Sequence, residues 1–235
     1  MERIGISLLL FLMALGLKAE GKLWNELLVD HVDSKGWVNY KGFQKDEEKL
    51  DRYLEYLNAT DIKGWTENRR KAFWMNAYNA YTVKLILNHY PLKSIMDIKV
   101  KDKNAWEIPF AKVGGKVYTL NAIEHDILRP KFKDPRIHVG INCASYSCPP
   151  LANKAFTEKN VELQLEKLMK SFINDPLRNT MAKESIEISE LFNWFKSDFT
   201  EKTSLINYLN KYSKTKISKT AKINFKKYNW SLNQA

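Results

Sequence analysis

Cysteine is scarce in this chain: Cys143 and Cys148 are the only two among 235 residues. Neither lies near the N-terminus, which excludes lipid attachment through a cysteine there. Nine glycines and seven prolines form no linker, and there are no internal repeats or low-complexity segments. No apolar run after residue 17 is long enough to span a bilayer, which takes about 20 residues. The common catalytic signatures are missing as well. The sequence has no G-x-S-x-G elbow, no P-loop, no H-E-x-x-H and no dinucleotide fingerprint.

What is present begins with an export pattern. Met1–Arg3 is charged, Ile4–Leu17 is apolar almost throughout, and Ala19 is a small residue suited to cleavage. A charged start, an apolar stretch and a small residue are the marks of a secretory signal peptide. The expectation is a signal over residues 1–19 and one globular domain over 20–235, exported to the periplasm or the extracellular space. The remaining chain of roughly 200 residues is long enough for one sizeable core. Hydrophobic residues at 44%, with seven Trp, eleven Tyr and eleven Phe, argue against disorder. The formal charge is +11, and Lys211, Lys214, Lys216, Lys219, Lys222, Lys226 and Lys227 crowd the late sequence. A solvated lysine face is the simpler reading; an anionic polymer is the alternative. Without arginine clusters or a stacking platform in that run, no nucleic-acid partner is expected.

Periodicity predicts helices over 24–32, 47–57, 68–89, 121–129, 157–173 and 204–212, with a short aromatic-rich helix over 191–199. Gly114-Gly115 predicts a hairpin over 112–118, because a two-residue turn needs positive φ. Strands are expected over 136–142, where Ile137, Val139 and Ile141 are β-branched, and over 185–189. The fold class is therefore α+β, a helix-dominated domain with a small antiparallel sheet.

Reactive side chains concentrate between Asn121 and Cys148. Asn121 and Glu124 have the spacing of a capping box. His125 would sit in the first turn of that helix, where the dipole favours a neutral imidazole, the form a general base requires. Cys143 follows an apolar run and opens a loop of small residues, a rigid and open place for a nucleophile. Strand alternation places His138 with Asn142 on the face away from Cys143, so His125 is the favoured base. Asn76 and Asn79, three apart on an apolar helix, are candidates to orient that ring, or simply to pin a neighbouring backbone segment. His138, Asn142 and Ser145 are the candidate substrate-binding groups. Three other uses of the cysteines stay open: a Cys143–Cys148 disulfide, a redox pair, and a metal site with His125 and His138. The last matches no standard ligand spacing, and no metal or cofactor is expected.

The segments 72–80, 120–129, 136–150, 191–199 and 228–233, in that order, resemble the Domain of Unknown Function 547 family. The resemblance runs from about Trp24 to Asn233. It implies an exported or multidomain-associated module, without a settled activity. The family motif centres on a Glu-His pair and an Asn-Cys pair, which fall here on Glu124, His125, Asn142 and Cys143. Cys148 belongs to a less uniform part of the pattern.

Together these features predict a cysteine-dependent acyl-transfer hydrolase with the logic, and the core geometry, of the papain or transglutaminase kind. Cys143 would attack an amide or ester carbonyl, His125 would take its proton, and Glu124, Asn76 or Asn79 would orient the ring. Main-chain amides after Cys143 would hold the oxyanion. The alternatives are a non-catalytic envelope module that binds a polymer or protein, and a thiol redox protein.

Overall fold

A computed structural model describes residues 21–235. The expected signal peptide, at 1–19, lies outside the described residues. The chain is a mixed, helix-dominated α+β structure. Four helices come first: α1 (Leu23–His31), α2 (Tyr40–Lys45), α3 (Glu47–Ala59) and α4 (Glu67–Leu87). In α1 and α3 the apolar spacing has its usual result, one buried stripe each: Trp24, Leu27 and Leu28, and Leu50, Tyr53, Leu54 and Leu57. α4 is different. Almost every side chain from Lys71 to Leu87 is buried, so this helix runs through the interior with neighbours on all sides. Thr66 caps it, its hydroxyl accepting the Arg69 amide at 3.3 Å.

Two short antiparallel hairpins follow, β1 (Lys99–Val100) with β2 (Lys103–Asn104), and β3 (Ala111–Val113) with β4 (Lys116–Tyr118). Gly114 and Gly115, at φ +58° and +74°, make the second turn as the sequence predicts. A π-helical segment, Ala122–Leu128, then passes into α5 (Arg129–Phe132). Pro130 sits in the first turn of α5, where its missing N–H is harmless, so it continues the rod instead of stopping it.

The expected strand over 136–142 is not formed. Ile137–Gly140 is a short helix, α6, closed by turn hydrogen bonds from Ile137 N to Asp134 O (3.0 Å) and from Val139 N to Arg136 O (3.1 Å). Alternate β-branched residues share one face of a strand, but here Ile137 packs into one apolar cluster and Val139 into another. A helical turn can serve both.

The remaining elements are α7 (Val161–Ile173), β5 (Thr180–Met181), β6 (Ser185–Ser189), α8 (Leu191–Trp194), α9 (Lys196–Thr200), α10 (Leu205–Tyr212) and β7 (Lys222–Lys226). β5 and β6 pair antiparallel, but β6 and β7 pair parallel from Ser185↔Lys222 to Ser189↔Lys226, so this sheet is mixed and not purely antiparallel as expected. The first apolar cluster gathers α1–α4 with the hairpins; the second gathers β6 and α8–α10 against part of α7. No helix among the described residues is long and apolar enough to cross a membrane.

Candidate active site

The loop bearing Cys143 is held from both sides by asparagine amides. Asn79, on the buried helix α4, donates to Gly140 O (2.9 Å) and accepts from Asn142 N (2.8 Å). One side chain thus clamps the backbone that leads into the cysteine. Asn142 then folds the loop back on itself, accepting from Ala144 N and donating to Pro149 O, each at 2.8 Å. Ala144 adopts a left-handed φ of +60° inside this turn. Asn76 makes the same two-sided bond elsewhere, to Phe156 N and O. Neither α4 asparagine bonds an imidazole; both pin backbone.

Cys143 is half-buried, and its sulfur has two hydroxyl partners, Ser145 Oγ at 3.1 Å and Tyr228 Oη at 3.5 Å. Its own amide donates to Cys148 Sγ at 3.1 Å. Both cysteines are free. The bond to Cys148 and the hydroxyls of Ser145 and Tyr228 outweigh burial, drawing the Cys143 thiol down to about 6. Burial pushes the Cys148 thiol up, and the neighbouring Cys143 adds to it. One cysteine is therefore set up as a thiolate and the other as a thiol.

The expected capping box is absent. Asn121 is itself helical and makes no side-chain cap; Thr119 Oγ1 accepts the Ala122 amide at 2.9 Å instead. Glu124 is consequently free of the backbone and buried. Burial first, and then the Cys143 charge, push its carboxyl up to about 7 against the opposing pull of Arg129 and Tyr78. π-helical segments are rare and collect at functional sites, and this one carries both Glu124 and His125.

The two histidines have different surroundings from those expected. His125 is exposed, and its Nδ1 accepts from Arg129 at 2.9 Å; burial and that cation both lower its basicity. His138 is the buried one. α6 being helical, the alternation argument that turned it away from Cys143 does not apply, and it lines the same cavity. Its ring lies stacked 3.9 Å from Phe195, its Nε2 is 2.8 Å from Asp198 Oδ2, and its Nδ1 is 3.7 Å from Glu124 Oε1. Arg129 grips Asp198 with two hydrogen bonds, at 2.7 and 2.9 Å. Burial alone would raise the Asp198 carboxyl, but the bonds from His138 and Arg129 hold it far below the usual carboxylate range.

These groups face a cavity of about 220 Å³ at the seam between the two apolar clusters. Glu124, His125, His138, Cys143 and Cys148 line it, with Tyr78, Ile141, Leu191 and Phe195. Apart from Asn121, its remaining wall is aromatic: Trp194 stacks on Trp230 at 5.7 Å, Tyr228 lies within 4.7 Å of both, and Trp106 meets Trp230 edge-on at 5.8 Å. Trp194 is 47% exposed.

The sequence missed Asp198, Arg129, Tyr228 and this aromatic wall. Two motifs held the signal: the aromatic-rich stretch over 191–199, and Tyr228-Asn229-Trp230. Of the main-chain amides expected to hold an oxyanion, those of Ala144, Tyr146, Ser147 and Cys148 already have acceptors, which leaves the Ser145 amide, bonded toward the Cys143 sulfur. Ser145 is buried and touches the thiol; Asn142 holds the loop and does not face the cavity. No cluster of three or more His, Cys, Asp or Glu able to hold a metal ion occurs among the described residues.

Residues 62–173 match the model of a family described as "Protein of unknown function, DUF547". This is narrower than the resemblance, and it stops short of Asp198, Tyr228 and Trp230. No curated protein and no solved structure matches the chain.

Proposed function

With a DUF547 region over residues 62–173 as the premise, we propose that this protein is an exported, cysteine-dependent acyl-transfer enzyme acting on an amide or ester. One observation carries the reading: the Cys143 sulfur, bonded by two hydroxyls, stands at a cavity that also holds a buried carboxyl and a buried imidazole. The thiolate is the competent nucleophile. Cys143 attacks the carbonyl carbon, and the amine or alcohol departs with a proton. Water then releases the acyl group. The Tyr228 hydroxyl, beside the sulfur and facing the cavity, is the donor placed to meet the developing oxyanion. The aromatic wall gives an apolar acyl group its surface.

Site-resolved alkylation with iodoacetamide, followed across pH, tests the thiol. The expected Cys143 rate is half-maximal near pH 6, well below that of an ordinary cysteine. A panel of amide and ester acyl donors tests the reaction, with turnover lost in Cys143→Ser. Alkylation that begins only above pH 8, or turnover indifferent to Cys143→Ser, defeats the reading. Sequencing the N-terminus of the protein recovered from its native host tests export. A non-catalytic binding module is the second reading, favoured by the exposed Trp194 stacked on Trp230. It predicts ligand binding that Cys143→Ser leaves intact, with no turnover in either form.

A further inference from the structure

The buried His138 ring has one nitrogen satisfied and one bare. Nε2 lies 2.8 Å from Asp198 Oδ2, and Asp198 is an ionised acceptor gripped by Arg129. Nε2 must therefore carry the ring proton. That leaves Nδ1 as a lone pair, and it has no hydrogen-bond partner although it is fully enclosed. A buried acceptor without a donor is costly. The nearest polar atom given for it is Glu124 Oε1, at 3.7 Å. A carboxylate there would set negative charge against the lone pair. A protonated carboxyl would supply the missing donor after a closure of less than 1 Å, into the usual range for such bonds.

Glu124 also faces Cys143 across the cavity, close enough for the thiolate charge to act on it. The titratable and charged groups that act on its proton come from every side: the Tyr78 hydroxyl from α4, Arg129 from α5, His138 from α6, Asp198 from α9, and Cys143 from its loop. His125 lies further out, with its Nδ1 committed to Arg129.

We infer that Glu124, in place of His125, is the group that exchanges a proton with Cys143 and the leaving group, and that His138, oriented by Asp198, is the positioning residue that holds this proton in place. The inference rests on the acyl-transfer reading above. At rest the proton of the pair lies on Glu124, leaving a thiolate and a carboxylic acid. The thiolate forms a C–S bond to the carbonyl carbon. As the C–N or C–O bond breaks, the Glu124 proton passes to the leaving nitrogen or oxygen, restoring the carboxylate. In the second half, Glu124 takes a proton from water as its oxygen bonds to the carbonyl carbon. The C–S bond then breaks, and the acid is released. Atoms and charge balance without any further reactant.

Infrared spectroscopy of the whole protein, with pH titration, reads Glu124 directly. The expected result is one protonated carboxyl band at neutral pH, titrating near pH 7, absent from Glu124→Gln and shifted lower in Asp198→Asn. The second arm is the pH profile of Cys143 alkylation. The wild type should show two coupled steps, and Glu124→Gln one, while His125→Asn keeps both. A band that titrates below pH 5 overturns the inference, as does a second step that vanishes in His125→Asn. If either variant fails to fold, the wild-type titration alone still decides. Because the infrared band reports the carboxyl and not the thiol, an unreactive Cys143 would sink the acyl-transfer reading without being mistaken for a failure at Glu124.

Discussion

His138 and Asp198 are sixty residues apart in sequence and their side chains meet at 2.8 Å, and of the two it is His138 that lines the cavity holding Cys143. Burial lowers the basicity of His138 more than Asp198 raises it, so the ring is neutral at neutral pH and ordered by the bond. The pairing organises the inner end of a chain of contacts that runs from His125 through Arg129 and Asp198 to His138.

Tyr228→Phe removes one hydroxyl from the Cys143 sulfur and leaves the ring wall intact. A hydrogen bond to a charged group contributes about 1.5 kcal/mol or more, and 1.36 kcal/mol is one pKa unit. The Cys143 alkylation midpoint should therefore rise by about one unit. At pH 6 the rate should fall several-fold, while the rate above pH 9 changes little.

Glu124 ties stability to pH. Its folded carboxyl titrates near 7 against an ordinary 4.5, so its contribution is full below pH 4.5 and is lost as pH rises through 7. The span amounts to at most about 3 kcal/mol. Urea midpoints measured from pH 4.5 to 6 should decline in the wild type, and this decline should be missing in Glu124→Gln; above pH 6 the lowered Cys143 thiol contributes the opposite slope.

Asn76→Ala and Asn79→Ala each strip a buried backbone N–H and C=O of their partners, which costs about 1–3 kcal/mol for each group left unpaired. Both should lower the urea midpoint comparably. Only Asn79→Ala, which frees the backbone at Gly140 and Asn142, should also slow Cys143 alkylation and shift its midpoint.

Trp194→Ala removes a half-exposed ring from the cavity wall, so the thermal midpoint should change by only a few degrees. Its effect belongs to ligand size. Cys143 should keep its rate with iodoacetamide and lose at least several-fold with a bulky aromatic acylating reagent. Equal losses with both reagents would mean that the ring supports the loop and does not line a subsite.

The sequence could be read where local forces decide. Apolar spacing marked α1, α3 and most of α4, and Gly114-Gly115 marked the hairpin, because in each case residues within a few positions carry the whole instruction. It misled where one residue answers to two distant surfaces. Ile137 and Val139 look like strand because they are β-branched, yet they serve different clusters, and the helical turn that results is what brings His138 into the cavity. Glu124 looked like a cap because Asn121 precedes it by three; the helix starts earlier, at Thr119, and the carboxyl is released inward. Cys143 was legible as a candidate from its setting at the end of an apolar run, and the structure sets it in a cavity wall. Asp198 was not, since an acidic residue on a short helix bears no sign of the histidine it will meet.

The wall formed by Tyr228 and Trp230 is laced to the cysteine loop by backbone bonds, Tyr146 N to Ser231 O and Ser147 N to Asn229 O. Tyr228 follows Cys143 by 85 positions. At about 5–20 residues per second of synthesis, a nascent chain displays the cysteine roughly 4–17 s before its tyrosine emerges. During that interval the sulfur lacks one of its two hydroxyl partners, and the cavity lacks a side. The growing polypeptide therefore carries its cysteine loop without the aromatic side of the cavity, and completion of the site waits on a segment made long after it.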